Sequence, residues 1–196
     1  MIELLAVLSA AAAAGMRIAL PLLVIGLLQS GNLWSEIPLL SQIHPSVLVG
    51  ILTSWSLFEL FASKKLLGQR ILQSVQLIFS PVVGAIMGIA VARFAQAPPT
   101  FVWIVGITSS LLALVLQLVQ AGWFFRLRGL PLWVVFIQDV LCVALVILAF
   151  DAPEQGGLIA LLLLWLAIRS SKQWHRWYKG HKRSQRNHHL RGHMPD

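Results

Sequence analysis

Charge is what this chain has least of. Only 11% of its 196 residues are Asp, Glu, Lys or Arg, and seven of them are acidic. That is too little polar surface to cover a water-soluble globule of this length. One cysteine, Cys142, excludes an intrachain disulfide, and its place inside an apolar run makes it a small buried hydrophobe. The apolar portion has no His or Cys cluster and no nucleophile beside an evident base, so an enzyme, a cofactor and a metal site are not expected. His188, His189 and His193 lie near the end of the chain with Gly192 and no Cys or acidic ligand before Asp196, which is no metal-ligand pattern.

What is present is hydrophobic: 58% of the residues, with a mean hydropathy of +0.79. The apolar runs are Met1 to Leu28, Ile43 to Ala62, Ile71 to Phe94, Thr100 to Phe125, Leu130 to Phe150 and Gly157 to about Ile168. Roughly 20 apolar residues suffice to cross a bilayer core of about 30 Å as a helix. A lipid-facing segment must satisfy its own backbone hydrogen bonds, and continuous apolarity excludes the alternation of a β-barrel. The expected fold is therefore all-α, a polytopic membrane bundle of about six transmembrane helices over residues 1–168, followed by a basic tail over 169–196. The last run is short unless it continues into the tail. Small residues from Ser9 to Ala14 could suit a signal peptidase, but Met1-Ile2-Glu3 carries an acid and no base, and apolar sequence resumes after Arg17, so a cleaved signal is not expected.

Charge placement predicts orientation. The net charge is +8, and eight of the fifteen bases lie after Ile168. With the N-terminus cytoplasmic, the cytoplasmic connections hold thirteen bases, including Lys64, Lys65, Arg70, Arg126 and Arg128, against Arg93 alone on the other side. This predicts a multi-pass protein of the inner (cytoplasmic) membrane with both termini inside. In the tail, Trp174 and Trp177 sit at helical spacing among Lys172, Arg176, Lys179, Lys182 and Arg183, which reads as an interfacial helix followed by disorder. The expected partners are the bilayer and its anionic head groups, with a homo-oligomer left open and nucleic acid disfavoured.

Three charges fall inside apolar runs and are candidates for an ion or substrate pathway: Arg17, Glu59 and Asp139. Arg17 sits in Gly15-Met16-Arg17-Ile18-Ala19-Leu20-Pro21, where a permissive glycine and a helix-breaking proline predict a kinked or broken helix. Counted at about 1.5 Å per residue from the cytoplasmic edge, Asp139 lies near the midplane and partners Arg17, whereas Glu59 lies shallower, nearer Lys64 and Lys65. Gln73 with Gln76, and Gln117 with Gln120, recur at helical spacing in adjacent spans and could face each other. Gly84 and Gly88 have the spacing of close helix contact.

The run Ala14-Gly15-Met16-Arg17-Ile18-Ala19-Leu20-Pro21-Leu22-Leu23, with Glu59, Gln76, Pro81, Gly84-Ala85 and Gln138-Asp139-Val140, resembles a bacterial membrane family known as domain of unknown function 4126. The resemblance extends to about Leu164 and implies a six-helix-type inner-membrane protein. Where that family tends to carry Ala-Asp-Lys and His-x-x-Lys-Ala-Gly, this chain has Ala62-Ser63-Lys64 and Gln117-Leu118-Val119-Gln120-Ala121-Gly122. From the intramembrane charges and the broken helix, the expected function is a small transporter or channel for an ion or small solute. The alternative is a noncatalytic scaffold or assembly factor whose tail binds lipid or a partner.

Overall fold

The computed structural model describes residues 2–28, 44–62, 66–127 and 131–171, and every regular element among them is an α-helix. The helices are α1 (Ile2–Met16), α2 (Ala19–Leu28), α3 (Pro45–Ala62), α4 (Leu66–Phe94), α5 (Pro99–Leu127), α6 (Leu132–Asp151) and α7 (153–171). Their boundaries follow proline chemistry. Pro45 and Pro99 open their helices at the position where a missing N–H costs nothing. Pro131 caps α6 in an extended conformation, φ −64° and ψ 145°. Between α4 and α5, Gln96 adopts φ 56°. Its N–H bonds the Arg93 carbonyl while the Ala97 N–H reaches Ala92, the paired bonds of a Schellman ending.

Among the described residues, three helices are long and apolar enough to cross a membrane: Gly68–Phe94, Thr100–Phe124 and Trp133–Asp151. The side chains are distributed accordingly. Ile78, Phe79, Trp103, Ile107, Phe136 and Val140 point outward, while Ser9, Arg17, Glu59, Gln73, Gln76 and Gln117 are buried. This inverts the pattern of a water-soluble bundle, and lipid is the solvent that stabilises it. The protein is an integral membrane protein.

The innermost helix is α1, in contact with α4, α5 and α6. Ala10 to Ala14 are all buried, and their small side chains let the surrounding helices approach closely. Glycines allow the same on the facing helices. A Cβ at Gly15 would come within 2.9 Å of the Ala113 backbone, one at Gly84 within 2.5 Å of the Ala113 Cβ, and one at Gly88 would collide with the Ser109 hydroxyl. Gly157 of α7 packs in the same way on Leu5.

Polar contacts fix the register of α1 on α6. Ser9 Oγ donates to the Leu145 carbonyl at 2.7 Å, Cys142 Sγ meets the Ala13 carbonyl at 3.4 Å, and Gln138 Nε2 donates to the Met16 carbonyl at 2.7 Å. Numbers rise along α1 as they fall along α6, so the two helices are antiparallel. Ile2 therefore lies at the end of the bundle where Phe94 meets Phe150 edge-on at 5.5 Å. The opposite end is where Trp123 Nε1 of α5 donates to Ser170 Oγ of α7 at 2.6 Å.

Among the described residues this does not fit the expectation of both termini on one side. The start of α1 and the 171 end of α7 lie at opposite ends of the bundle, and joining opposite ends takes an odd number of full crossings. The physical reason is local. Met1 to Leu28 counts as one crossing by hydropathy, but its helix stops at Met16, near the level of Gln138 and Ala113.

Candidate functional site

The break in the first apolar run is written into Pro21. In a continuous helix the Pro21 nitrogen would bond the carbonyl of Arg17, but proline has no N–H and its ring collides with that carbonyl. The helix consequently ends with the Arg17 N–H on the Ala13 carbonyl at 3.1 Å, bends at Ile18 and restarts at Ala19. In the bilayer interior, carbonyls freed by such a break need partners. Gln138 supplies one to Met16 and also donates to Gln120 Oε1 at 3.1 Å.

The side chain of Arg17 turns into the bundle and donates through Nε to Asp139 Oδ1 at 2.6 Å, with 5% and 15% of the two side chains exposed. The sequence expectation of this pair is met. Glu59 differs. Its expected neighbours, Lys64 and Lys65, lie outside the residues whose side chains are described, and the carboxylate is 3% exposed inside the bundle. There Oε1 accepts from Trp55 Nε1 at 3.1 Å and from Gln76 Nε2 at 3.2 Å. Gln76 Oε1 accepts in turn from Gln117 Nε2 at 3.4 Å, so the third and fourth apolar runs do face each other through their amides. Both Arg17 and Asp139 lie within electrostatic reach of Glu59.

Five helix segments thus converge on one polar cluster: the break between α1 and α2, α3 through Glu59, α4 through Gln76, α5 through Gln117 and Gln120, and α6 through Gln138 and Asp139. Beside it is a cavity of about 20 Å³ lined by Arg17, Gln69, Leu72, Gln73, Gln76, Phe124, Val135 and Gln138. That is room for a single water. Gln73 Oε1, on a side chain 9% exposed, has no hydrogen-bond partner among the described residues.

All six residues expected to form a pathway are in this cluster. Sequence reasoning missed Trp55, Gln69 and Gln138 as members. Two of these left a signal: Trp55 sits four residues before Glu59, and Gln69, Gln73 and Gln76 fall on one helical face. The tail positions Lys172, Trp174, Arg176, Trp177, Lys179, Lys182 and Arg183 lie outside the described residues.

The model of the family described as Domain of unknown function (DUF4126) matches residues 4–173, and the chain belongs to that family. No curated protein and no solved structure matches the chain.

Proposed function

We propose that this member of the DUF4126 family is a multi-pass inner-membrane protein that moves an ion or small solute past the Arg17–Asp139–Glu59 cluster, with no catalytic step. The observation that carries the proposal is a charge imbalance. Among the described residues, one guanidinium faces two carboxylates in the buried interior. With all three groups ionised, one negative charge is uncompensated, which is costly in a low-dielectric site. A proton or a monovalent cation would balance it. A group that gains and loses such a charge beside a helix discontinuity is the arrangement by which membrane proteins couple ions to transport. The basic end, with Arg70, Arg126 and Arg169, faces the cytoplasm in this reading.

The second reading is the noncatalytic scaffold, in which the cluster only fixes helix packing. The size of the cavity favours it, since about 20 Å³ admits a water but no larger solute without rearrangement.

Uptake into proteoliposomes separates the two. Glu59→Gln keeps an oxygen that can accept from Trp55 and Gln76, so the variant should fold while losing the exchangeable charge. The transport reading expects uptake of protons or monovalent cations by the native protein, reduced at least tenfold in Glu59→Gln. No uptake above protein-free vesicles would favour the scaffold, and equal uptake above that level by both proteins would remove Glu59 from the path.

A further inference from the structure

We infer that a notch between the ends of α5 and α7 is a binding site for one anionic phospholipid. The notch has a volume of about 310 Å³ and lies at the end of the bundle that carries Arg126. Its apolar lining is Leu118, Val119 and Gly122. Trp123, Arg126, Ser170 and Ser171 form its rim.

Gly122 is the informative residue. At Gly15, Gly84 and Gly88 an added Cβ would strike a neighbouring helix, so those glycines serve close packing. At Gly122 an added Cβ would meet nothing within 4 Å among the described residues. A glycine inside a helix is destabilising relative to alanine. Here no close approach among the described residues offsets it, and Gly122 lines the notch.

The rim is chemically one-sided. Arg126 is exposed, and among the described residues no acidic side chain lines the notch. The Ser170 hydroxyl accepts from the Trp123 indole at 2.6 Å, which leaves its own hydrogen to donate to another acceptor, and Ser171 adds a second hydroxyl. A cation with two hydroxyls above an apolar slot is complementary to a phosphate with the start of an acyl chain beneath it. Because the rim charge is positive and uncompensated within the notch, a head group of net negative charge fits better than a zwitterionic one. The chain after Ser171 is itself basic, with Lys172, Arg176 and Lys179, so like charge disfavours it as the occupant.

The test is native mass spectrometry of the full chain released from detergent with phosphatidylglycerol or phosphatidylcholine of matched acyl chains. One retained phosphatidylglycerol per chain is expected, with clear preference over phosphatidylcholine. Arg126→Gln should weaken retention about fivefold, the effect of one basic side chain at an anionic surface. Gly122→Leu should fill the notch without a clash and abolish retention while thermal stability is kept. The inference is overturned by equal retention of the two lipids, by retention unchanged in Gly122→Leu, or by retention lost only when Lys172, Arg176 and Lys179 are changed to Gln. A shift in oligomeric state in Gly122→Leu with an unchanged lipid count would identify the notch as a contact between copies and overturn it equally.

Discussion

Replacing Arg17 or Asp139 with leucine should destabilise the protein unequally, and the inequality follows from Glu59. Breaking a buried ion pair by removing one partner costs about 3–5 kcal/mol, because the other charge is left uncompensated. Arg17→Leu leaves two carboxylates, Asp139 and Glu59, with no cation in the cluster, so its loss should lie near the top of that range, about 5 kcal/mol. Asp139→Leu leaves Arg17 within reach of Glu59, which can take over as counter-charge, so its loss should lie near the bottom, about 3 kcal/mol. The double variant carries only Glu59 as a stranded charge and should cost far less than the sum of the single losses. Adding Glu59→Gln to the double variant should recover most of the remainder. Thermal unfolding in one detergent, completed as a double-mutant cycle, measures these differences at equal protein concentration. Strictly additive losses would refute the coupling. A greater loss for Asp139→Leu than for Arg17→Leu would refute the place given to Glu59.

Gly88→Val should force α4 away from Ser109 and cost about 1–3 kcal/mol, read as a lowered unfolding temperature in the same detergent; an unchanged value would mean that α4 and α5 are not in contact there. Orientation can be read with a membrane-impermeant maleimide, because the native Cys142 is fully buried. Glu3→Cys and Arg70→Cys should label from opposite faces of the membrane, and labelling of both from the same face would contradict the antiparallel packing of α1 on α6.

The helix break and its ion pair were legible in the sequence, because both depend on local chemistry. Pro21 forbids the hydrogen bond to Arg17 wherever the helix runs, and a charge in an apolar run demands a partner at similar depth, which Asp139 supplies. The partners of Glu59 within the bundle were not legible, because depth counted along its own helix says nothing about the direction of its side chain. The Trp55 indole and the Gln76 amide hold it inward. Gln69 escaped notice because it precedes the apolar run beginning at Ile71, while α4 itself begins at Leu66. Whether the two ends share a side was not legible, since hydropathy does not distinguish a continuous 28-residue crossing from two helices separated at Arg17. The notch at Gly122 arises only when α5 and α7 meet, and neither segment alone signals it.

The central claim is that the third charge of the cluster is exchangeable. Infrared difference spectroscopy of the purified protein in lipid, recorded as the pH or the sodium concentration is changed, observes that carboxyl directly. The expected result is a carboxylic-acid band that interconverts with carboxylate as conditions change and is absent from Glu59→Gln. A spectrum that stays the same across pH and sodium, in the native protein and in Glu59→Gln alike, would contradict it.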